Sequence, residues 1–181
     1  MKKIQRVSRF FKWVFQIIFY ILPITYIIFW INAPTPVFST YGFILSFIPQ
    51  GNMIVSTMLP TDTKLLAFVI GLIPLAVNLF ILYFLVRLFR GFEKSEIFSK
   101  RNVGHIKWLG YTILIGQLLQ PLYQALMSAA LTWHNLPGTR VIEISFTGTN
   151  VGLVLTALLI ILISWIMAEG QKLQEEQEYT V

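Results

Sequence analysis

The sequence predicts an all-α integral membrane protein with four transmembrane helices and both termini in the cytoplasm. Three observations lead to this fold class. Only 12% of the 181 residues are charged and 56% are hydrophobic, whereas a soluble domain carries about 25% charged residues. The apolar residues fall in four long uncharged blocks. The basic residues are concentrated in alternate connecting segments, which is the distribution expected of a chain that crosses a bilayer repeatedly.

Each uncharged block is near or above the length that a membrane span needs, about 20 residues for a hydrocarbon core of about 30 Å. The predicted spans are residues 13–31, 65–86, 108–133 and 151–168. The third is the longest, about 39 Å as an α-helix, so we expect it to tilt, kink or extend beyond the lipid. A cleaved signal peptide is the alternative for the first block. That block is longer than a usual signal core, and no small-x-small cleavage site follows it.

Lysine and arginine give the orientation. Five precede the first span, six lie between the second and third spans, and one lies in the C-terminal tail. The other two connecting segments contain one basic residue each, Lys64 and Arg140. The positive-inside rule therefore places both termini and the loop 87–107 in the cytoplasm, and the loops 32–64 and 134–150 outside.

The two outer loops are expected to form a small ordered cap. Loop 32–64 combines four prolines with many apolar side chains and is too hydrophobic to extend freely into water. In the other loop, residues 140–147 are rich in β-branched side chains, which favours a short strand paired with residues 37–41. The alternative is that the fourth helix already begins at Val141.

The cytoplasmic loop contains signals for the end of one helix and the start of the next. Gly91 is expected to end the second helix, and Ser99 is expected to cap the third. The basic residues of this loop make it the candidate docking surface for a cytoplasmic partner, with Lys94, Lys100 and Arg101 as the candidate contact residues.

A polar stripe runs along the third span. Gln117, Gln120, Gln124 and Ser128 are spaced so that they share one helix face, and Asn78 is a further amide in the second span. An amide in hydrocarbon needs a hydrogen-bond partner, so this face is expected to point toward other helices or a wet cavity.

A proline lies within each of the first three spans: Pro23, Pro74 and Pro121. Because proline lacks the N–H that bonds the carbonyl four residues earlier, each is a candidate kink. Prolines and amides together fit two interpretations. In the first, they surround a small polar cavity that binds a ligand. In the second, the amides only fix helix register through interhelical hydrogen bonds.

The sequence contains no recognisable catalytic equipment. It has no cysteine, and no acidic or basic residue lies inside a span core, where ion-coupled transport usually needs one. His105 and His134 fall on opposite sides of the predicted membrane and cannot share a metal. We therefore expect no catalytic site, no metal, no cofactor and no direct nucleic-acid binding, and a lipid bilayer as the principal surrounding.

Residues 88–103, with the sequence LFRGFEKSEIFSKRNV, and the following IKWLG at 106–110 resemble a known pattern. They are similar to a family of small four-span bacterial membrane proteins catalogued as domain of unknown function 2975, in which phenylalanine, glycine and an Ile-Phe-Ser stretch join the second and third spans. The resemblance implies a bacterial plasma membrane and no established activity. Some members resemble partners of helix-turn-helix repressors, which by analogy implies a cytoplasmic regulator as partner.

Two functional hypotheses follow. The first is a non-catalytic regulatory or interaction protein whose cytoplasmic loop and tail bind a soluble partner. The second is a small-molecule binding or transport protein that uses the amide-lined interior. The identity of the neighbouring gene, and whether its product co-purifies with this chain, would distinguish these two hypotheses most directly.

The predicted orientation can be tested by labelling, because the chain contains no cysteine of its own. Single cysteines placed at Ser95 and at Gly138 should differ in their reaction with an impermeant thiol reagent in intact cells. Only the probe at position 138 should react, since the charge distribution places it outside. Equal labelling at both positions would rule out this orientation.

Overall fold

The computed structural model describes residues 2–32, 60–96, 98–142, 144 and 151–179, and these residues form four helices and no strand. The helices are α1 (Lys2–Asn32), α2 (Thr61–Glu93), α3 (Lys100–Thr132) and α4 (Val151–Tyr179). Among the described residues, three segments are long and apolar enough to cross a membrane: Lys3–Ile31, Thr61–Glu93 and Val151–Leu173. The all-α class is therefore confirmed for the described residues, with three helices long and apolar enough to span a membrane.

Helix α3 is not among these three segments. Its 33 residues exceed the length of a bilayer core. The glutamines of the polar stripe and Pro121 lie in its middle and reduce its apolar character. The crossing of the membrane by α3 and the orientation of the chain remain predictions.

The helices extend beyond the predicted spans. Helix α1 begins at Lys2, eleven residues before the first uncharged block, and α2 continues from residue 86 to Glu93. A helix of 33 residues is about 50 Å long, well above the hydrocarbon thickness of about 30 Å. A bilayer crossed by α2 would therefore not cover the whole helix.

The chain divides into two compact units. Unit A contains Met1–Ile21, Asn78–Ile115 and Val151–Val181, and unit B contains Leu22–Val77 and Gly116–Asn150. Helix α4 lies entirely in unit A, whereas α1, α2 and α3 each contribute residues to both units.

In unit A, α4 packs through a stripe of small and branched residues. Ala157, Ile161 and Ser164 are buried at intervals of four and three residues, which places them on one helix face. Gly110 of α3 faces this stripe so closely that a β-carbon on it would lie 2.7 Å from Ile161 Cγ1 and 3.1 Å from the Ala157 carbonyl oxygen. Most other apolar side chains of α4 are exposed, as expected of a helix that meets lipid on its remaining faces.

In unit B, α1 and α2 are joined by a tyrosine. Tyr26 is 1% exposed, its ring packs against that of Phe68, and its hydroxyl donates to the Phe68 carbonyl oxygen at 2.5 Å. Gly71, close to one turn further along α2, leaves the space that the Tyr26 hydroxyl occupies. A side chain at position 71 would displace that hydroxyl.

The segment after α3 is hydrogen-bonded to the end of that helix. The backbone N–H of Val141 donates to Thr132 Oγ1 at 3.1 Å, and Thr132 Oγ1 lies 3.0 Å from the Val141 carbonyl oxygen. His134 Nε2 lies 3.1 Å from Asp62 Oδ2 in the first turn of α2. Val141 and Ile142 are not helical, so the alternative start of the fourth helix at Val141 is wrong.

The expected strand pairing in the outer cap cannot be compared with these contacts. Residues 37–41 and most of 143–150 lie outside the described residues.

The structure also affects the choice of position for the labelling test. Gly138 has φ 96°, a conformation that a cysteine adopts only with strain. Leu136, which is 77% exposed, is therefore the better position for a thiol probe on the predicted outer side.

Two glycines of α3 provide a matched test of the packing in unit A. Gly110→Ala should lower the free energy of unfolding by about 1–3 kcal/mol, because Ile161 and the backbone at Ala157 must move. A β-carbon added at Gly104 would meet nothing within 4 Å, so Gly104→Ala should raise stability by up to about 1 kcal/mol through helix propensity. Unfolding in mixed micelles measures both. Equal effects of the two substitutions would contradict the close α3–α4 approach.

Candidate functional site

The candidate site is the α2–α3 corner, the segment 87–107 that contains the end of α2, the connecting turn and the start of α3. Helix α2 ends in a Schellman motif. The Ser95 N–H donates to the Phe92 carbonyl oxygen at 3.1 Å, and the Glu96 N–H donates to the Gly91 carbonyl oxygen at 3.0 Å. Ser95 holds the left-handed position of this motif, with φ 63°.

Gly91 does not end the helix, and that prediction is wrong. The helix continues to Glu93, and the residue with positive φ is Ser95. Glycine is usual at this position because it has no β-carbon, and serine is less favourable there. The glycine signal in the sequence therefore lies four residues before the position that adopts the left-handed conformation.

The start of α3 is capped as the sequence predicts. The Asn102 N–H donates to Ser99 Oγ at 3.3 Å, and the Val103 N–H donates to the Ser99 carbonyl oxygen at 3.0 Å. The first bond satisfies one of the N–H groups that the first turn of a helix otherwise leaves open, and the second is the first i→i−4 bond of the helix.

Asn102 connects the two helices and the turn between them. Its side chain is buried, 2% exposed, and Nδ2 donates to the Glu96 carbonyl oxygen at 2.5 Å. The amide group also lies directly against Gly91, in the space that a β-carbon at position 91 would fill. Gly91 is therefore required for close approach of α3 to α2, and Asn102 fixes the turn against both helices.

Helix α1 is attached to the same corner by charge. Glu93 accepts from Lys12 Nζ at 2.6 Å and from Arg9 Nε at 2.8 Å. The hydrogen bond from Lys12, followed by the one from Arg9, holds the pKa of the Glu93 carboxyl below its usual value. Because the folded-state pKa is lowered, this contact stabilises the folded state at neutral pH and is lost as pH falls through that lowered pKa.

Aromatic packing accompanies these ion pairs. The Phe89 ring lies 5.4 Å from Phe11 and 5.5 Å from Phe15, both on α1, and 5.8 Å from Phe92. Gln5 Nε2 also donates to Ser95 Oγ at 3.0 Å. The first helix thus contacts the end of α2 and the connecting turn through apolar, polar and charged groups.

The corner presents positive charge to its surroundings. The three predicted docking residues, Lys94, Lys100 and Arg101, are all exposed. A pocket of about 40 Å³, lined by Lys94 and Arg101 together with Arg87, Arg90, Glu96 and His105, lies in the same corner. Burial lowers the pKa of His105, and the charges of Arg87 and Arg101 lower it further. The imidazole is therefore neutral at pH 7, and the positive charge comes from lysine and arginine.

The polar stripe of α3 lies in unit B. Gln124 is 3% exposed and Ser128 is fully buried, whereas Gln117 and Gln120 are half-buried. Ser128 Oγ donates to the Ala125 carbonyl oxygen of its own helix at 3.0 Å. Asn78, which the sequence grouped with them, lies in unit A.

The stripe contains residues that the sequence analysis missed. Thr132 is buried and bonds to Ser128 and Val141; its position one turn after Ser128 was the available signal. Tyr123 and Met127 are buried beside Gln124 and Ser128. Apolar as well as polar side chains are therefore buried along this part of α3.

The candidate kinks lie within continuous helices. Pro23, Pro74 and Pro121 are interior residues of α1, α2 and α3, and each helix continues past its proline. Proline therefore does not end any of the three helices, and bending at these positions remains a prediction.

The described residues form a helical protein in which three helices are long and apolar enough to cross a membrane. Two of these, α1 and α2, form the ion pairs of Glu93. Comparison with known families is consistent with this class. The model of the family described as Protein of unknown function (DUF2975) matches residues 55–181, which include all of α2, α3 and α4. The chain belongs to this family, as the resemblance in the corner predicted. No curated protein and no solved structure matches it.

A double-mutant cycle tests the contact between Asn102 and Gly91. Asn102→Ala should lower the free energy of unfolding by about 1–3 kcal/mol, because the Glu96 carbonyl loses the nearer of its two donors and keeps only the Ser99 N–H at 3.5 Å. Gly91→Ala should also destabilise, since its new methyl group collides with Asn102. The double variant should be more stable than the sum of the two effects predicts, because the truncated residue 102 leaves room for that methyl group. Strict additivity would contradict the contact.

Proposed function

We propose that this chain is a non-catalytic regulatory or interaction protein of the bacterial plasma membrane, and that the α2–α3 corner docks a soluble cytoplasmic partner. In this proposal α3 is a fourth crossing, and both termini lie in the cytoplasm with the corner. The ordered corner is the observation that carries the proposal.

The charge distribution supports the orientation. Six of the basic residues lie between residues 87 and 107, and five more precede residue 13. The corner and the N-terminal part of α1 contact each other through Glu93, so these two basic segments lie on the same side of the membrane. The positive-inside rule assigns that side to the cytoplasm.

The geometry of the turn supports a docking role. Lys94 and Arg101 are exposed on a segment whose backbone is fixed by the Schellman motif, the Ser99 cap and the buried Asn102. A fixed turn displays its charges with little loss of conformational entropy when a partner binds.

The same arrangement indicates the partner's chemistry. Exposed lysine and arginine attract an acidic surface and increase the rate of encounter. By family analogy alone, a helix-turn-helix regulator is the partner type that we propose. Its acidic face, and not its DNA-binding face, would contact the corner.

The alternative function, a ligand cavity lined by the glutamines, has less support. Gln124 and Ser128 are buried next to Tyr123 and Met127, and Ser128 bonds within its own helix. These features support a role of the stripe in helix packing, with each amide contributing about 1–2 kcal/mol or less.

The docking proposal predicts which charges matter. Replacing Lys94, Lys100 and Arg101 with glutamine should reduce co-purification of the neighbouring gene product at least tenfold, while membrane insertion is retained. The control variant replaces Lys3, Arg6 and Lys172, which are also exposed and equal in number and lie on the same proposed side. Its partner binding should change by less than threefold.

Two results would contradict the proposal. One is full partner binding by the Lys94, Lys100 and Arg101 variant after labelling has shown the correct orientation. The other is equal loss of binding in both variants, which would indicate attraction by total charge without a specific surface.

A further inference from the structure

A groove in unit A crosses the boundary between apolar and basic residues. Its volume is about 170 Å³, similar to engineered protein cavities of about 150 Å³ that accommodate benzene. Its walls come from α1 and α2, with Phe19, Tyr20, Tyr83 and Val86 providing aromatic and aliphatic surface. Gln16, Arg87 and Arg90 complete the lining.

The two arginines are placed at one end of the apolar part of α2. Residues 65–86 are uncharged, and Arg87 is the first charged residue after them. Arg87 Cζ lies 5.2 Å from the centre of the Tyr83 ring, so the guanidinium lies against an aromatic residue of the groove. Arg90 lies close to one helical turn further on, beyond the apolar block.

Neither arginine forms an ion pair with the residues that the structure describes. Within the described part of the chain, no carboxylate lies within ion-pair distance of Arg87 or Arg90, although Glu93 nearby pairs with Arg9 and Lys12. Both arginines also line the 40 Å³ pocket in the corner, with Lys94 and Arg101. That pocket also contains the Glu96 carboxylate, so its lining has four basic residues and one acidic residue and is net positive around Arg87 and Arg90.

We propose that this groove binds an anionic phospholipid, with the phosphodiester at Arg87 and Arg90 and the start of an acyl chain against Tyr83 and Val86. The amphipathic lining matches that ligand: guanidinium groups bind phosphate oxygens, and the aromatic wall replaces lipid neighbours. A free phosphate would use only the arginines and leave the apolar wall without an occupant. The proposal does not rest on the docking partner, because Arg87 and Arg90 are not among the proposed docking residues Lys94, Lys100 and Arg101.

The test uses the purified full-length protein in a neutral detergent. Native mass spectrometry should give tighter binding of the first phosphatidylglycerol than of phosphatidylcholine, and inorganic phosphate should not compete at equal concentration. Arg87→Gln with Arg90→Gln should weaken phosphatidylglycerol binding about 25-fold, or about fivefold for each arginine near the membrane surface. Phosphatidylcholine binding should change little.

Two further variants separate the site from general charge. Lys107→Gln with Lys172→Gln removes the same charge, and Lys107 stacks on Tyr111 much as Arg87 stacks on Tyr83. This control should change binding by less than threefold. Val86→Phe keeps both arginines but fills the groove, and it should weaken phosphatidylglycerol binding at least fivefold.

Three results would overturn the proposal. The first is equal weakening by the arginine and lysine variants, which would mean a diffuse charge effect. The second is competition by inorganic phosphate, which would mean a free-anion site. The third is unchanged binding in a folded Val86→Phe protein, which would mean that the groove holds no acyl chain.

Discussion

The lack of water in a hydrocarbon core is the constraint on which this architecture depends, because every polar group there needs a partner within the protein. Long helices satisfy the backbone. Several hydroxyl side chains donate to the carbonyl oxygen three or four residues earlier in the same helix, as those of Thr25, Thr112 and Ser164 do. Tyr26 instead bonds the carbonyl of Phe68 on the neighbouring helix. These polar residues thus contribute to helix packing without leaving open donors.

The α2–α3 corner supplies hydrogen-bond partners for the backbone groups at two helix ends. Two helix ends meet there, and each leaves several backbone groups without helical partners. The Schellman motif at Ser95, the Ser99 cap and the Asn102 side chain provide those partners with few residues. Since Asn102 also contacts Gly91, the same group that completes the turn sets the distance between the helices. The lysine and arginine side chains of the corner take no part in these backbone contacts, and they are exposed.

Local sequence patterns predicted the helices and one helix cap, but they did not predict the contacts between residues far apart in the sequence. The apolar blocks predicted helices, and Ser99 was correctly assigned as a cap because that signal depends on adjacent residues. Gly91 was misassigned because a glycine near a helix end resembles a C-terminal cap, while its actual role depends on Asn102, eleven residues later. The ion pairs of Glu93 with Lys12 and Arg9 join residues more than 80 positions apart. No spacing in the sequence indicates them.

Amide hydrogen exchange, resolved by NMR for the protein in lipid nanodiscs, tests most directly whether the corner is a folded element. The N–H groups of Ser95, Glu96 and Val103 donate to the carbonyl groups of Phe92, Gly91 and Ser99. They should exchange at least 100-fold more slowly than an unstructured peptide of the same sequence, which corresponds to about 2.7 kcal/mol of local stability. Exchange of all three at the peptide rate would show a flexible linker and would contradict the account.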